Sequence, residues 1–378
     1  MECGGATYGR RKELKGIQAV KLQTQQAEER TQRHAIRPCA IDTAHCSYRI
    51  EMHPIGADTR GCEERTKMAT AKWTVAEIAS QAGRTALVTG ANSGIGYQAA
   101  VELARHGAHV LLGCRNAEKG QAALQRLLAE APGSSAEVVQ LDMASLASVR
   151  AFATAFAARG VKLDLLINNA GVMALPNREL TEDGFERQMG TNHFGHFALT
   201  GLLMPQLLAA PAPRVVTVAS LAHRNGKIDF DNLNSEKKYV PWDAYGESKL
   251  ANILFAKELQ RRATVAGTSL ISIPVHPGVS VTNIFENGPG SGGVKAMILK
   301  MLSPILMQPD TAGALPTLYA ATAPAAKGGQ YIGPDGFMEM KGSPVVVQPK
   351  PQALDAAVGE RLWTVSEQLT GVIYPVLG

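Results

Sequence analysis

The sequence predicts an α/β protein built on a single doubly wound parallel sheet with helices on both faces. Three observations predict it. From about residue 73 onward, apolar runs of strand length alternate with amphipathic segments of helix length. Such alternation builds parallel strands joined by right-handed crossovers. The first run leads into a glycine-rich turn. Finally, Gly90, Arg115, Asp142, Asn169, Ser220 and Pro277 each fall at or just after the end of a predicted strand. Open α/β sheets bind ligands along that carboxyl edge.

Composition narrows the function classes. The 378 residues are 45% hydrophobic and 19% charged, with a net charge of +5. The basic residues form no long cluster, so nucleic acid is not an expected partner. No apolar stretch approaches the ~20 residues of a membrane span. Residues 1–40 lack the continuous apolar core of a secretory signal.

Residues 1–67 read as a disordered leader, with no Phe, no Trp and no sustained apolar period. Cys3, Cys39, Cys46 and Cys62 lie in it, with His34, His45 and His53. They form no tight C-x-x-C pair, so no metal site is expected. Cys114 is the single cysteine beyond the leader, which fits a reducing, cytoplasmic compartment. The functional domain is read as 68–378, beginning at Met68.

The first strand is Arg84–Thr89. Gly90-Ala91-Asn92-Ser93-Gly94-Ile95-Gly96 follows, then a helix to Arg105 that Gly107 terminates. Small glycines let a backbone approach a pyrophosphate, and the helix N-terminus offers free N–H groups. A ligand-free turn is the alternative, but the flanking strand and helix favour a phosphate site. Val110–Cys114 is the second strand, ending at Arg115. An arginine there, in place of an acid that would hold ribose hydroxyls, suits a 2′-phosphate and favours NADP(H) over NAD(H); a solvated surface arginine is the alternative.

A helix over Glu118–Glu130 leads to the third strand, Glu137–Leu141, which ends at Asp142-Met143. A helix from Ser145 to Gly160 leads to the fourth, Leu163–Ile167, which ends in Asn168-Asn169-Ala170-Gly171. The next helix is expected over Glu182–Leu208. It carries Asn192, His193 and His196, the histidines read as structural or surface residues. Arg214–Ala219 is the fifth strand, with Ser220 at its end.

Tyr245 and Lys249 lie one turn apart on the following helix, which runs to about Arg262. A phenol has a pKa near ~10. A neighbouring ammonium favours the phenolate, which makes Tyr245 a candidate general acid or base. Leu270–Ile273 is the sixth strand, ending in His276-Pro277-Gly278, and Gln330–Ile332 a short seventh. Between them, Gly288–Gly293 and the Met-rich run that follows suggest a lid around 279–315 over an apolar substrate.

Taken together, residues 73–340 resemble the short-chain dehydrogenase/reductase family. The match rests on Thr89 with the glycine loop, Asn168 to Gly171, Asn192, Ser220, Tyr245-x-x-x-Lys249 and Pro277-Gly278. Gly113 to Asn116, Thr191 to Phe197 and Ser220 to His223 are similar to a narrower branch. That branch contains retinol dehydrogenases, WW-domain oxidoreductases and protochlorophyllide reductases. Ser280 departs from the valine common after the Pro-Gly turn, while Thr282 matches.

The resemblance implies a Rossmann-type fold and a catalytic set of Asn192, Ser220, Tyr245 and Lys249. Tyr245 would protonate a substrate carbonyl oxygen, and Ser220 would hydrogen-bond it. Lys249 would bind the nicotinamide ribose and lower the Tyr245 pKa. Asn192 would hold a water that links Lys249 to solvent. The implied cofactor contacts are Thr89, Gly90, Ser93, Gly94, Ile95, Gly96, Arg115, Asp142, Met143, Asn169, Ala170, Gly171, Tyr245, Lys249, Pro277, Gly278 and Thr282. The expected function is an NADP-dependent oxidoreductase for an apolar carbonyl or alcohol, a retinal-like aldehyde or ketone among the candidates. A non-catalytic NADP-binding regulator is the rival. Pairing into a homodimer or homotetramer would use the helices bearing Asn192 and Tyr245.

Overall fold

The computed structural model describes residues 72–279 and 308–377. The leader 1–67, Met68, Ser280, Thr282 and residues 280–307 of the expected lid lie outside the described residues.

Eight strands form one sheet in the order β3-β2-β1-β4-β5-β6-β7-β8. They are β1 (Thr85–Thr89), β2 (His109–Cys114), β3 (Ser135–Gln140), β4 (Leu165–Asn168), β5 (Arg214–Val218), β6 (Ile271–Val275), β7 (Tyr331–Pro334) and β8 (Pro344–Val347). Pairing is parallel from β3 through β7. The seven expected strands form the doubly wound parallel sheet, and an eighth that was not expected, β8, runs antiparallel to β7 at one edge. A short connection suffices for that return, whereas a parallel neighbour needs a long crossover.

The central strands are continuous apolar runs because both sheet faces are covered. Successive side chains alternate between them. Val88, Val110, Leu112, Ile167, Val216 and Ile273 share one core. It includes α1 (Gly94–Arg105) and, beyond the two-strand switch, α9 (Leu315–Thr322). Leu87, Leu111, Leu166 and Val215 belong to the opposite core. There they meet α3 (Leu146–Ala158), α5 (Gly195–Leu202) and α7 (Pro241–Val265). Fully burying one such aliphatic side chain contributes roughly 1.5–3 kcal/mol. Asn116 caps α2 (Ala117–Glu130) by accepting from Lys119 N at 2.8 Å.

The helix expected from Glu182 begins instead as the short α4 (Arg187–Met189). Leu180 and Glu186 form an antiparallel bridge just before it. The Glu186 carboxylate accepts from Gln188 N and Met189 N at 3.0 and 2.8 Å, which fixes the start. A π-helical turn follows over Gly190–Phe194, then α5, then α6 (Met204–Leu208). Close packing explains the flanking glycines. A Cβ at Gly195 would stand 2.2 Å from Met143 O, and one at Gly190 would stand 2.6 Å from Thr181 Cγ2.

α8 (Asp310–Gly313) precedes α9, and the chain closes with α10 (Ala356–Thr370). Trp363 of α10 packs edge-on to Phe197 of α5 at 5.1 Å and stacks on Phe255 of α7 at 5.9 Å. α10 thus covers α5 and α7, the helices that the resemblance assigns to pairing. Among the described residues no helix is long and apolar enough to cross a membrane.

Candidate active site

The carboxyl ends of β1 to β6 surround a cleft of about 1140 Å³. Its walls include Gly90, Ser93, Gly94, Ile95, Gly96, Arg115, Asp142, Met143, Asn169, Ala170, Gly171, Ser220, Tyr245, Lys249, Pro277 and Gly278. Most of the expected site residues therefore meet in one place.

The glycine loop enters α1 through Ser93, whose side chain makes no capping bond. The first N–H groups of a helix lack intrahelical partners, and here they belong to Gly94, Ile95 and Gly96 on the cleft wall. Gly94 adopts φ +63°, which favours glycine. Gly96 answers a different need: a Cβ there would stand 2.3 Å from Asn169 Nδ2 and 2.8 Å from Gly90 O. The loop thus lies flat on the Asn169 turn, leaving room for a ligand above it. This arrangement fits the pyrophosphate of a dinucleotide. Arg115 is exposed at the cleft rim and makes no hydrogen bond or ion pair with the described residues.

Thr89, expected as a cofactor contact, is fully buried and is not among the residues of the cleft wall. Its Oγ1 accepts from Asn169 N and Ala170 N, both at 2.9 Å. Asn169 Nδ2 also donates to Thr89 O at 2.9 Å. Asp142 Oδ1 accepts from Ala144 N at 2.9 Å, shaping the turn after β3.

Asn192 is likewise buried, inside the π-helical turn. Its Oδ1 accepts from Val172 N at 2.9 Å. Its Nδ2 donates to Val172 O at 3.0 Å and to Ser248 Oγ at 2.9 Å. Every polar side-chain atom thus has a protein partner, so the water-holding role expected of Asn192 does not fall to a free side-chain atom. These bonds pin the segment after Gly171 to the helix of Tyr245.

Ser220 lies two residues past β5 and caps a 3-10 turn, Leu221–Asn225, accepting from Ala222 N at 3.2 Å. Its side chain also interacts with Tyr245. Lys249 Nζ donates to Val218 O at 3.0 Å and sits 5.8 Å from the Tyr245 ring centroid. The expected lowering of the Tyr245 pKa by Lys249 is corrected. Burial raises Tyr245 above its ordinary value, with the Ser220 bond opposing. Burial also pushes Lys249 down to about 8. Burial is the largest influence on both groups.

His193 and His196 are structural, and neither is at the surface. His193 Nε2 lies 2.9 Å from Ser366 Oγ, and His196 Nδ1 lies 2.9 Å from Asn192 O. Among the described residues no group of three or more His, Cys, Asp or Glu is placed to hold a metal.

Sequence reasoning missed Trp242, Met173 and Leu175 on the cleft wall. Trp242 packs edge-on to Tyr245 at 5.9 Å while remaining 52% exposed. Its position three residues before Tyr245, on the same helical face, was the available signal.

Known proteins share this fold. The family model for the short chain dehydrogenases matches residues 84–289. Human retinol dehydrogenase 13 is 41% identical over 297 residues, covering 78% of this chain and 86% of that protein. A crystal structure of an uncharacterized protein from Mycobacterium paratuberculosis is 43% identical. It covers 80% of this chain and 99% of its own, with a TM-score of 0.67. Pseudomonas aeruginosa RhlG, solved as an active-site complex with NADP, is 25% identical. It covers 67% of this chain and 94% of its own, with a TM-score of 0.53. The chain belongs to the short-chain dehydrogenase family, in its retinol dehydrogenase-like branch, and is a nicotinamide-dependent dehydrogenase/reductase acting on alcohol or carbonyl groups.

Proposed function

We propose that the chain is an NADP-dependent oxidoreductase whose substrate is an apolar carbonyl or alcohol, of the size and character of a retinal-like aldehyde. One observation carries the cofactor choice: Arg115, at the end of β2, stands on the cleft rim with its charge unpaired among the described residues. A guanidinium fork matches a phosphate and gives little to a ribose hydroxyl. Met173, Leu175 and Trp242 on the cleft wall support an apolar substrate, as does the likeness to retinol dehydrogenase 13.

A bound nicotinamide supplies the hydride. Tyr245 gives its hydroxyl proton to the substrate oxygen in reduction and takes it back in oxidation. Because burial keeps the phenol protonated in the chain alone, Tyr245 is ready to act as the acid. Ser220 hydrogen-bonds the same oxygen and stabilises the charge that develops on it. Lys249 lines the cleft 5.8 Å from the Tyr245 ring centroid and would hold the ribose of the bound dinucleotide. Asn192 keeps that helix in register with Val172 through its three side-chain bonds. Gly90 to Gly96, Asp142, Met143, Asn169 to Gly171 and Pro277-Gly278 hold the dinucleotide; Thr89 holds the loop that does so. The buried, free Cys114 is in keeping with a reducing compartment such as the cytoplasm.

The test is a screen of apolar aldehydes and ketones, all-trans-retinal included, followed by loss of NADPH absorbance and repeated with NADH. Turnover of apolar carbonyls with NADPH preferred is the expected result. Equal use of both cofactors, or turnover confined to small polar carbonyls, overturns the reading.

A further inference from the structure

Glu339 lies outside the cleft wall, yet its carboxylate touches the roots of two cleft elements. Arg224 Nη2 donates to Glu339 Oε2 at 2.9 Å, and Arg224 belongs to the 3-10 turn that Ser220 caps. His276 Nε2 lies 3.0 Å from the same Oε2. The tautomer of His276 follows from its other nitrogen. Gly278 N donates to His276 Nδ1 at 3.3 Å, so the ring proton sits on Nε2 and points at Glu339. His276 is completely buried, and a Cβ at Gly333 would stand 2.0 Å from its Nε2. The ring has no room to turn. A continuous chain results, from the Gly278 amide through His276 and Glu339 to Arg224. His223 secures the same turn, with Nδ1 2.7 Å from Ser220 O.

The backbone at Glu339 adds an independent sign. Met338 and Glu339 adopt φ +52° and +60°, a left-handed conformation that L side chains rarely take. Burial of their neighbours does not hold them there: Phe337 is 82% and Met338 60% exposed. Glu339 N→Gly336 O and Met340 N→Phe337 O shape the turn but reach nothing outside it. The outside contacts are the Glu339 carboxylate and Met340 O, which accepts from Val279 N at 2.8 Å. Both anchor the Pro277–Val279 wall.

We propose that Glu339 is a positioning residue for the oxidoreductase reaction: through Arg224 and His276 it ties the Ser220 turn to the Pro277–Gly278 turn and fixes the spacing of the cleft at its reacting end. This rests on the function proposed above. A displacement near 1 Å at a reacting group lowers rates steeply, so a residue that never meets substrate can govern turnover.

The experiment uses the full chain with all-trans-retinal and NADPH, comparing the parent with Glu339→Gln, Arg224→Met and the double variant. Melting temperature, NADPH Kd, kcat and KM are read for each. In Glu339→Gln, kcat should fall about tenfold with KM for retinal shifted less than about twofold. The melting temperature should stay within about 4 °C. The double variant should be no slower than Glu339→Gln, because both changes break one link. Parental kcat in Glu339→Gln, or losses that multiply in the double variant, overturns the proposal. Should Glu339→Gln fail to fold, Arg224→Met decides from the other arm, by the same fall or by parental kcat. Should the parent not reduce retinal, the substrate reading fails by itself. NADPH titration then decides: a Kd raised about threefold or more in Glu339→Gln upholds the link to Pro277–Gly278, and an unchanged Kd overturns it.

Discussion

Thr89 Oγ1 and His196 Nε2 meet at 2.9 Å, joining residues 107 apart across the centre of the sheet. His196 Nδ1 faces Asn192 O, so Nδ1 carries the ring proton and Nε2 accepts from the threonine hydroxyl. The hydroxyl's lone pairs take the amides of Asn169 and Ala170. One buried atom therefore holds the glycine-loop strand, the Asn169 turn and the Asn192 helix together.

Replacing Thr89 by Val keeps the shape and removes the hydroxyl. Ala170 N and a ring nitrogen lose their partner, while Asn169 N keeps Ile167 O at 3.0 Å. At about 1–3 kcal/mol for each unsatisfied group, stability should fall by roughly 2 kcal/mol or more. Urea denaturation measures it, and Thr89→Ser should restore most of the loss. A valine variant as stable as the parent would remove Thr89 from the centre of this account.

Tyr245→Phe keeps the ring that packs against Trp242 and deletes the proton donor. Turnover should drop by about 10²-fold or more, while NADPH binding, followed by fluorescence, stays near parental. Retained turnover would assign the proton to another group.

Arg115→Ala should weaken NADPH far more than NADH, since the 2′-phosphate is the only group that distinguishes them at this rim. Titration of both cofactors reads the difference directly. Equal losses would make Arg115 a structural residue.

The buried histidines give the fold an acid limit. Burial, with help from His196, pushes His193 down to about 3. Its folded-state pKa is thus below that of the unfolded chain, so the unfolded chain binds the extra proton as pH falls. The stability this group provides is complete above about pH 6.5 and is lost progressively toward its folded pKa. Between pH 7 and 5 the loss should reach about 2 kcal/mol from this residue. His193→Asn should reduce the change in urea stability over that interval by a similar amount. Comparing one variant at two pH values cancels the cavity it leaves. An identical pH dependence in the variant would contradict the assignment.

Local patterns made much of the fold legible. Each of the first six apolar runs ended beside a residue that lines the cleft, because strand carboxyl ends share one edge. Ser145 marked a helix start where it caps. What stayed hidden depended on distance along the chain or on enclosure. The four-residue β8 has no period of its own and exists by pairing with β7. The helix start at Arg187 depends on the carboxylate of Glu186 and the Leu180 bridge, against a pattern that pointed to Glu182. The spacing of Tyr245 and Lys249 announced a neighbouring charge but not the burial that shifts both groups. His276, Glu339 and Arg224 come from three separate regions, and no local spacing foretells their meeting.

The placement of α10 bears on assembly. Trp363 is only 2% exposed, inserted between Phe197 and Phe255, and Tyr374 packs on both Trp363 and Phe197. A second copy docking on these faces of α5 and α7 would compete with an occupant that is already tethered. Such a copy reaches these faces only where Trp363 is first withdrawn from between Phe197 and Phe255.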